Sequence, residues 1–108
     1  MGVSKKFIHS EYTNYIAKIA KVFAHPARVA ILHHISQQKG CICSDLVEEI
    51  GLAQATISQH LSVIDNAGLL KGTYEGKKRC YCINEERLAE FKSYLGGFIN
   101  TVKENACC

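Results

Sequence analysis

The chain has 108 residues, 47% of them apolar, and a net charge of +3 with histidine neutral. That is the size of one domain with enough apolar mass for a core, which excludes a wholly disordered chain. The charge is too small to name a partner, and no apolar run approaches the roughly 20 residues of a membrane span.

The start, Met1-Gly2-Val3-Ser4-Lys5-Lys6-Phe7, has no apolar signal core. Lys6 also stands where an N-myristoylation motif needs serine or threonine. A cytoplasmic protein with no membrane partner is therefore expected. Residues 1–28 and 53–79 are net basic, while residues 29–52 and 80–108 are net acidic.

Residues 11–23 carry Tyr12, Ile16, Ile19 and Phe23 on one helical stripe. The His25-Pro26 step ends that helix, because the residue before a proline is pushed out of the helical region. Pro26 then suits the first position of a second helix, where its missing N–H costs nothing. That helix, residues 26–36, offers Val29, Ile31, Leu32 and Ile35 to a core. After a polar turn, Ser44 is an expected N-cap, with Asp45, Glu48 and Glu49 near the positive end of a third helix. Leu46, Val47 and Ile50 form its buried side, and Gly51 ends it. A fourth helix is predicted over residues 53–66, with Ile57, Leu61 and Ile64 inward and Gly68 beyond its end.

Residues 69–75 and 77–83 read as two strands joined around Gly76. A last helix, residues 85–103, carries Leu88, Phe91, Leu95, Phe98 and Val102 as a seam that Tyr94 and Ile99 widen. The expected fold is mainly α with a β-hairpin wing. It is one winged helix-turn-helix domain over residues 1–108, with about five helices and two strands. The helix-turn-helix is placed at 44–66, the wing at 69–83 and a flexible tail at 106–108. So short a chain has little core left for two further apolar helices. The regions 1–24 and 85–105 are therefore expected to dimerise it.

A short helix pair hinged at Gly51 is the shape that inserts its second helix into the DNA major groove. Gln54, Ala55, Thr56, Ser58, Gln59, His60 and Ser62 are the candidate DNA-contacting residues of that helix. Glutamine pairs with two edges of adenine, and serine and threonine reach bases or phosphates. Acidic side chains, which phosphates repel, are absent from residues 53–64. Lys77, Lys78 and Arg79 at the hairpin tip, with Lys71 behind them, are expected to supply the phosphate contacts.

The chain has six cysteines. In a reducing compartment these read as ligands or redox groups rather than structural disulfides. Cys41 and Cys43 are the main pair. In an extended segment both point the same way and grip one soft ion; in a helix they diverge by about 200°. Ion binding there favours a distorted start to the helix that supports the recognition helix. The nearby helix N-terminus favours thiolate, the metal-binding form. Cys107 and Cys108, on the tail, can swing onto an ion held elsewhere. Cys80 and Cys82 share one strand face and are expected to be exposed, with the more core-like Tyr81 and Ile83 on the other. The five histidines show no ligand spacing. His25 reads as a boundary residue, and His60 is expected to reach a phosphate. Without a nucleophile–base pair or a glycine-rich phosphate loop, an enzyme is not expected.

Four segments in order carry a resemblance: Ala24-His25-Pro26-Ala27-Arg28, then Cys41-Ile42-Cys43-Ser44-Asp45-Leu46, then Gln54-Ala55-Thr56-Ile57-Ser58-Gln59-His60-Leu61, then Ala67-Gly68-Leu69-Leu70 with the wing. Over about residues 20–84 the chain resembles the ArsR/SmtB family of metal-responsive repressors. The resemblance implies a homodimer on a double-stranded palindromic operator, with no cofactor for DNA binding and with an inducer ion that releases the DNA. The Cys-x-Cys followed by Asp-Leu is similar to the arsenite/antimonite and the cadmium/lead branches, which carries over to Cys41 and Cys43. Leu46 stands where arsenic sensors often have a third cysteine, and residues 1–40 contain none. The acid/histidine pattern of zinc sensors is missing from the last helix. Arsenite or antimonite is the expected inducer, with cadmium, lead or zinc as alternatives. Trivalent arsenic prefers three sulfurs, and Cys107 or Cys108 of either protomer is the expected third. Two other readings stand beside this one: a repressor sensing thiol oxidation or persulfide, and a constitutive DNA-binding or protein-interaction module with inert cysteines.

Overall fold

The structure is a computed structural model. It describes residues 10–38, 46–75 and 78–106, and leaves out the side chains of residues 73–79. Five helices and one hairpin follow in the order α1 (Glu11–Val22), α2 (Pro26–Ser36), α3 (Leu46–Ile50), α4 (Gln54–Asn66), β1 (Leu70–Glu75), β2 (Lys78–Ile83) and α5 (Glu85–Glu104). The two strands pair antiparallel, with Leu70 opposite Ile83 and Glu75 opposite Lys78. The mainly α, winged arrangement is the one expected, and each boundary lies within two residues of its predicted place.

Local chemistry explains where the helices begin. Ser10 caps α1 by accepting the Thr13 N–H at 3.2 Å. His25, in extended backbone, caps α2: its Nδ1 accepts the Ala27 N–H at 3.1 Å, and Pro26 follows at the first helical position. Asn84 caps α5 by accepting the Arg87 N–H at 3.2 Å. The expected Ser44 cap of α3 lies outside the described residues. Gly51 and Gly68 both have φ of +79°, the left-handed conformation that lets the chain turn after α3 and α4.

One core joins all of these elements. Ile19 and Val22 from α1, Ile31 and Ile35 from α2, Leu46 from α3, Ile57 and Ile64 from α4, Leu69 and Leu70 at the hairpin and Phe91 from α5 are buried in a single cluster. The terminal helices thus add more to the core than the chain's length suggested. The reason is that α1 and α5 pack on each other through aromatic rings. Tyr15 meets Phe91 edge-on, with centroids 5.8 Å apart, and lies against Tyr94 at 4.6 Å. The same pair also leaves large apolar side chains exposed: Tyr12 on α1 and Leu88, Tyr94, Ile99 and Val102 on α5.

Candidate nucleic-acid interface

α4 is amphipathic in the way a groove-reading helix must be. Its inner face is Ile57, His60, Leu61 and Ile64. Its outer face presents Gln54, Ala55, Ser58, Gln59 and Ser62 to solvent, with Thr56 half-buried at the margin. Gln54 Nε2 donates to Ser58 Oγ at 3.2 Å, so two polar side chains one turn apart are held as a pair. The helix begins after Ala53 with no side-chain cap and no acidic residue in its first turn. That leaves the positive end of its dipole open to an anion such as a phosphate.

His60 is not on that outer face. It is only 9% exposed, and its ring lies against His25 with centroids 4.5 Å apart. This corrects the expectation of a phosphate contact: the heptapeptide that supplies Gln54, Ser58 and Gln59 outward turns position 60 inward, beside Leu61. Arg28 completes the arrangement. Its Nη1 lies 3.2 Å from His60 Nδ1, while Nε and Nη2 donate to the carbonyls of Val22 and Lys21 at 3.2 and 2.8 Å. One guanidinium therefore closes the C-terminal end of α1 and braces α4 from behind. Burial, with His25 and Arg28 beside it, holds the His60 pKa below its ordinary value. Sequence reasoning saw His25 and Pro26 only as a helix boundary and missed this brace, since nothing in the spacing of residues 28 and 60 announces it.

The turn after α4 is held by a second arginine. Arg87 Nη1 donates to the Ala67 carbonyl at 3.3 Å and Nε pairs with Glu90 at 3.3 Å. Asn84 Nδ2 donates to the Gly68 carbonyl at 3.0 Å. These bonds anchor the end of the recognition helix, and with it the root of the hairpin, to the start of α5.

Lys71 is exposed on β1. The side chains of Lys77, Lys78 and Arg79 lie outside the described residues. So do Cys41, Cys43, Cys107 and Cys108. Among the described residues, no group of three or more His, Cys, Asp or Glu side chains is placed to hold a metal ion. Cys80 and Cys82 differ from expectation. Cys80 is 2% exposed and Cys82 half-buried, and both are disulfide-bonded. Among the described residues no helix is long and apolar enough to cross a membrane.

Known proteins share this architecture and sequence. The model of the bacterial regulatory protein arsR family matches residues 25–71, the span from the His25 cap to the first hairpin strand. The arsenical resistance operon repressor of Staphylococcus xylosus is 34% identical over 94 residues, covering 86% of this chain and 88% of that one. The solution structure of the cadmium metal-sensor CMTR of Mycobacterium tuberculosis superimposes with a TM-score of 0.56 at 30% identity, over 74% of this chain and 81% of that one. The homodimeric winged helix-turn-helix DNA-binding domain Mb0332 of Mycobacterium bovis superimposes with a TM-score of 0.58 at 23% identity, over 88% of each chain. With the match in both sequence and fold, the chain belongs to the arsR family of bacterial regulatory proteins: it is a DNA-binding transcriptional regulator with a winged helix-turn-helix fold, not an enzyme.

Proposed function

We propose that the protein is a cytoplasmic repressor that binds a palindromic operator as a homodimer and is released by a thiophilic ion, arsenite or antimonite first among them. The observation that carries the DNA-binding part is the outer face of α4, where Gln54, Ser58, Gln59 and Ser62 stand exposed in a stretch, residues 53–64, that holds no acidic side chain. The dimer is supported by the apolar stripe that α1 and α5 leave uncovered. The inducer is supported by Cys41 and Cys43, which precede Leu46 at the start of α3. α3 packs on both α2 and α4. An ion drawing those two sulfurs together disturbs the support of the reading helix, and DNA affinity falls.

The relatives named for arsenical resistance and cadmium sensing agree with this reading. Soft cations and trivalent arsenic select thiolates over imidazoles, and both His25 and His60 are occupied structurally. A trivalent arsenic centre takes three sulfurs. Beyond Cys41 and Cys43, the chain offers Cys107 and Cys108 on its tail and Cys80 and Cys82 on the hairpin.

The test is fluorescence anisotropy of operator DNA against reduced protein, titrated with arsenite, cadmium, zinc and a persulfide donor. Arsenite is expected to release the DNA, and Cys41→Ser to abolish that response. An arsenite response unchanged in Cys41→Ser refutes the site. A second reading, release by thiol oxidation or persulfide, is favoured by the bonded state of Cys80 and Cys82. It prevails if only oxidants or persulfide weaken binding.

A further inference from the structure

We infer that a cleft between α2, the end of the hairpin and the start of α5 is a second ligand site, which takes a small arylalkyl ammonium ion: an aromatic, apolar body with a cationic head. No cysteine lines it, so the inference stands apart from the thiol reading.

The cleft has a volume of about 390 Å³. That falls in the range of small-molecule sites, roughly 300–1,000 Å³. At roughly 30 Å³ for each water-sized group, it has room for about 13 of them. Among its lining residues, Leu32 is buried and Ile83 half-buried. Phe23 at the end of α1, Val29 on α2 and Leu88 on α5 also line it, and they are 41%, 46% and 43% exposed. Three large apolar side chains from three elements thus converge on one concavity and stay in contact with water. An apolar guest relieves that exposure. The stripe assigned to the dimer is elsewhere on α5: Ile99 and Val102 lie 11 and 14 residues beyond Leu88, about 16 and 21 Å along the helix.

The polar groups of the lining select the head of that guest. Ser36 and Glu85 also line a smaller cleft, of about 170 Å³, that shares Ile83 with the first and reaches Gln38. Where the two clefts meet, the Ser36 hydroxyl has already donated its one proton to the His33 carbonyl, at 2.7 Å, so toward a ligand it can only accept. The Glu85 carboxylate accepts as well. Ser36 is the last residue of α2, at the negative end of that helix's dipole. His33 is the one basic group of the lining among the described residues, and in its neutral form it leaves Glu85 as the only charge there. Two acceptors, one of them an anion, beside a helix C-terminus call for a positively charged donor, which an ammonium group supplies. Phe23 and His33 bring two rings to the same lining, which suits an aromatic body. α2 packs on both α4 and β2, so the guest touches the element that backs the reading helix.

The test is a set of ligand titrations of the full chain at neutral pH and fixed protein concentration, read from methyl resonances in proton–carbon NMR spectra. The probes are phenylbutylamine, phenylbutanol and phenylbutyrate, alike in body and cationic, neutral and anionic at the head. The amine is expected to shift the methyls of Val29, Leu32 and Leu88 saturably. It is expected to bind about two- to fivefold tighter than the alcohol, the range of an exposed ion pair, with the butyrate weakest. Glu85→Gln, at an exposed position, is expected to erase the amine's advantage and keep the alcohol's affinity, with unchanged circular dichroism. Absence of a saturable shift at those three residues overturns the inference. So does equal affinity for amine and alcohol, or an amine preference that survives Glu85→Gln. If the same methyls move on dilution of the ligand-free protein and no probe competes, a second copy fills the cleft and the inference falls.

Discussion

Arg28 shows how much one side chain can hold. Its three nitrogens serve the last carbonyls of α1 and the ring of His60, so it links the first helix to the reading helix. Arg28→Ala is expected to lower unfolding free energy by roughly 1.5–3 kcal/mol, the range for hydrogen bonds from a charged group, as measured by urea denaturation. The outer face of α4 is untouched by that change. His60 adds a pH dependence. Burial, then His25 and Arg28, depress its folded pKa below the ordinary value. Between the two values the unfolded chain binds more protons, so stability rises with pH there. It is full above about pH 6.5, the unfolded value, and is lost as pH falls through the depressed folded value. The denaturation midpoint is expected to drop less for His60→Gln than for wild type between about pH 7.5 and about pH 5.5. An equal drop assigns the acid sensitivity to other groups.

At the scale of elements, the reading helix is positioned by its ends. Gly51 turns the chain into it, and Gly68 turns the chain out against Arg87. A Cβ at Gly68 would meet Arg87 Nη1 at 2.9 Å, and the φ of +79° is strained for any L side chain. Gly51 has the same φ, but a Cβ there would meet no atom of the described residues within 4 Å. Both alanine variants are expected to lose about 1–2 kcal/mol from the left-handed backbone. Gly68→Ala alone also displaces Arg87 from the Ala67 carbonyl, and calorimetric melting should rank it the less stable. The proposed role of the hairpin is one of charge. Neutralising Lys77 and Lys78 is expected to flatten the salt dependence of DNA binding by about one unit of slope per lysine. An unchanged slope removes the wing from the interface.

At the scale of the whole molecule, the uncovered face of α1 and α5 matters most. Ile99 and Val102 are each 54% exposed, on a helix whose Phe91 is buried. A second copy burying that stripe would set two α4 helices at a fixed separation, as a two-fold operator requires. Ile99→Glu is expected to shift the protein from dimer to monomer in sedimentation equilibrium and to weaken operator binding. It should leave the helical circular dichroism intact, since the residue is outside the core.

The order of elements was legible in the residues because each carries its own local cue. The His25-Pro26 step, the two turn glycines and the 3.6-residue stripes act within a few positions, and the helices and strands lie within two residues of where those cues put them. The polar face of α4 was legible for the same reason: Gln54, Ser58, Gln59 and Ser62 follow from the period once the inner face is known. The inward turn of His60 onto Arg28 was not, because it joins positions 32 residues apart, and only packing decides such a pair. Nor was the burial of Cys80 legible. Alternation says which strand residues share a face, but what covers that face is settled by how distant segments come together in three dimensions.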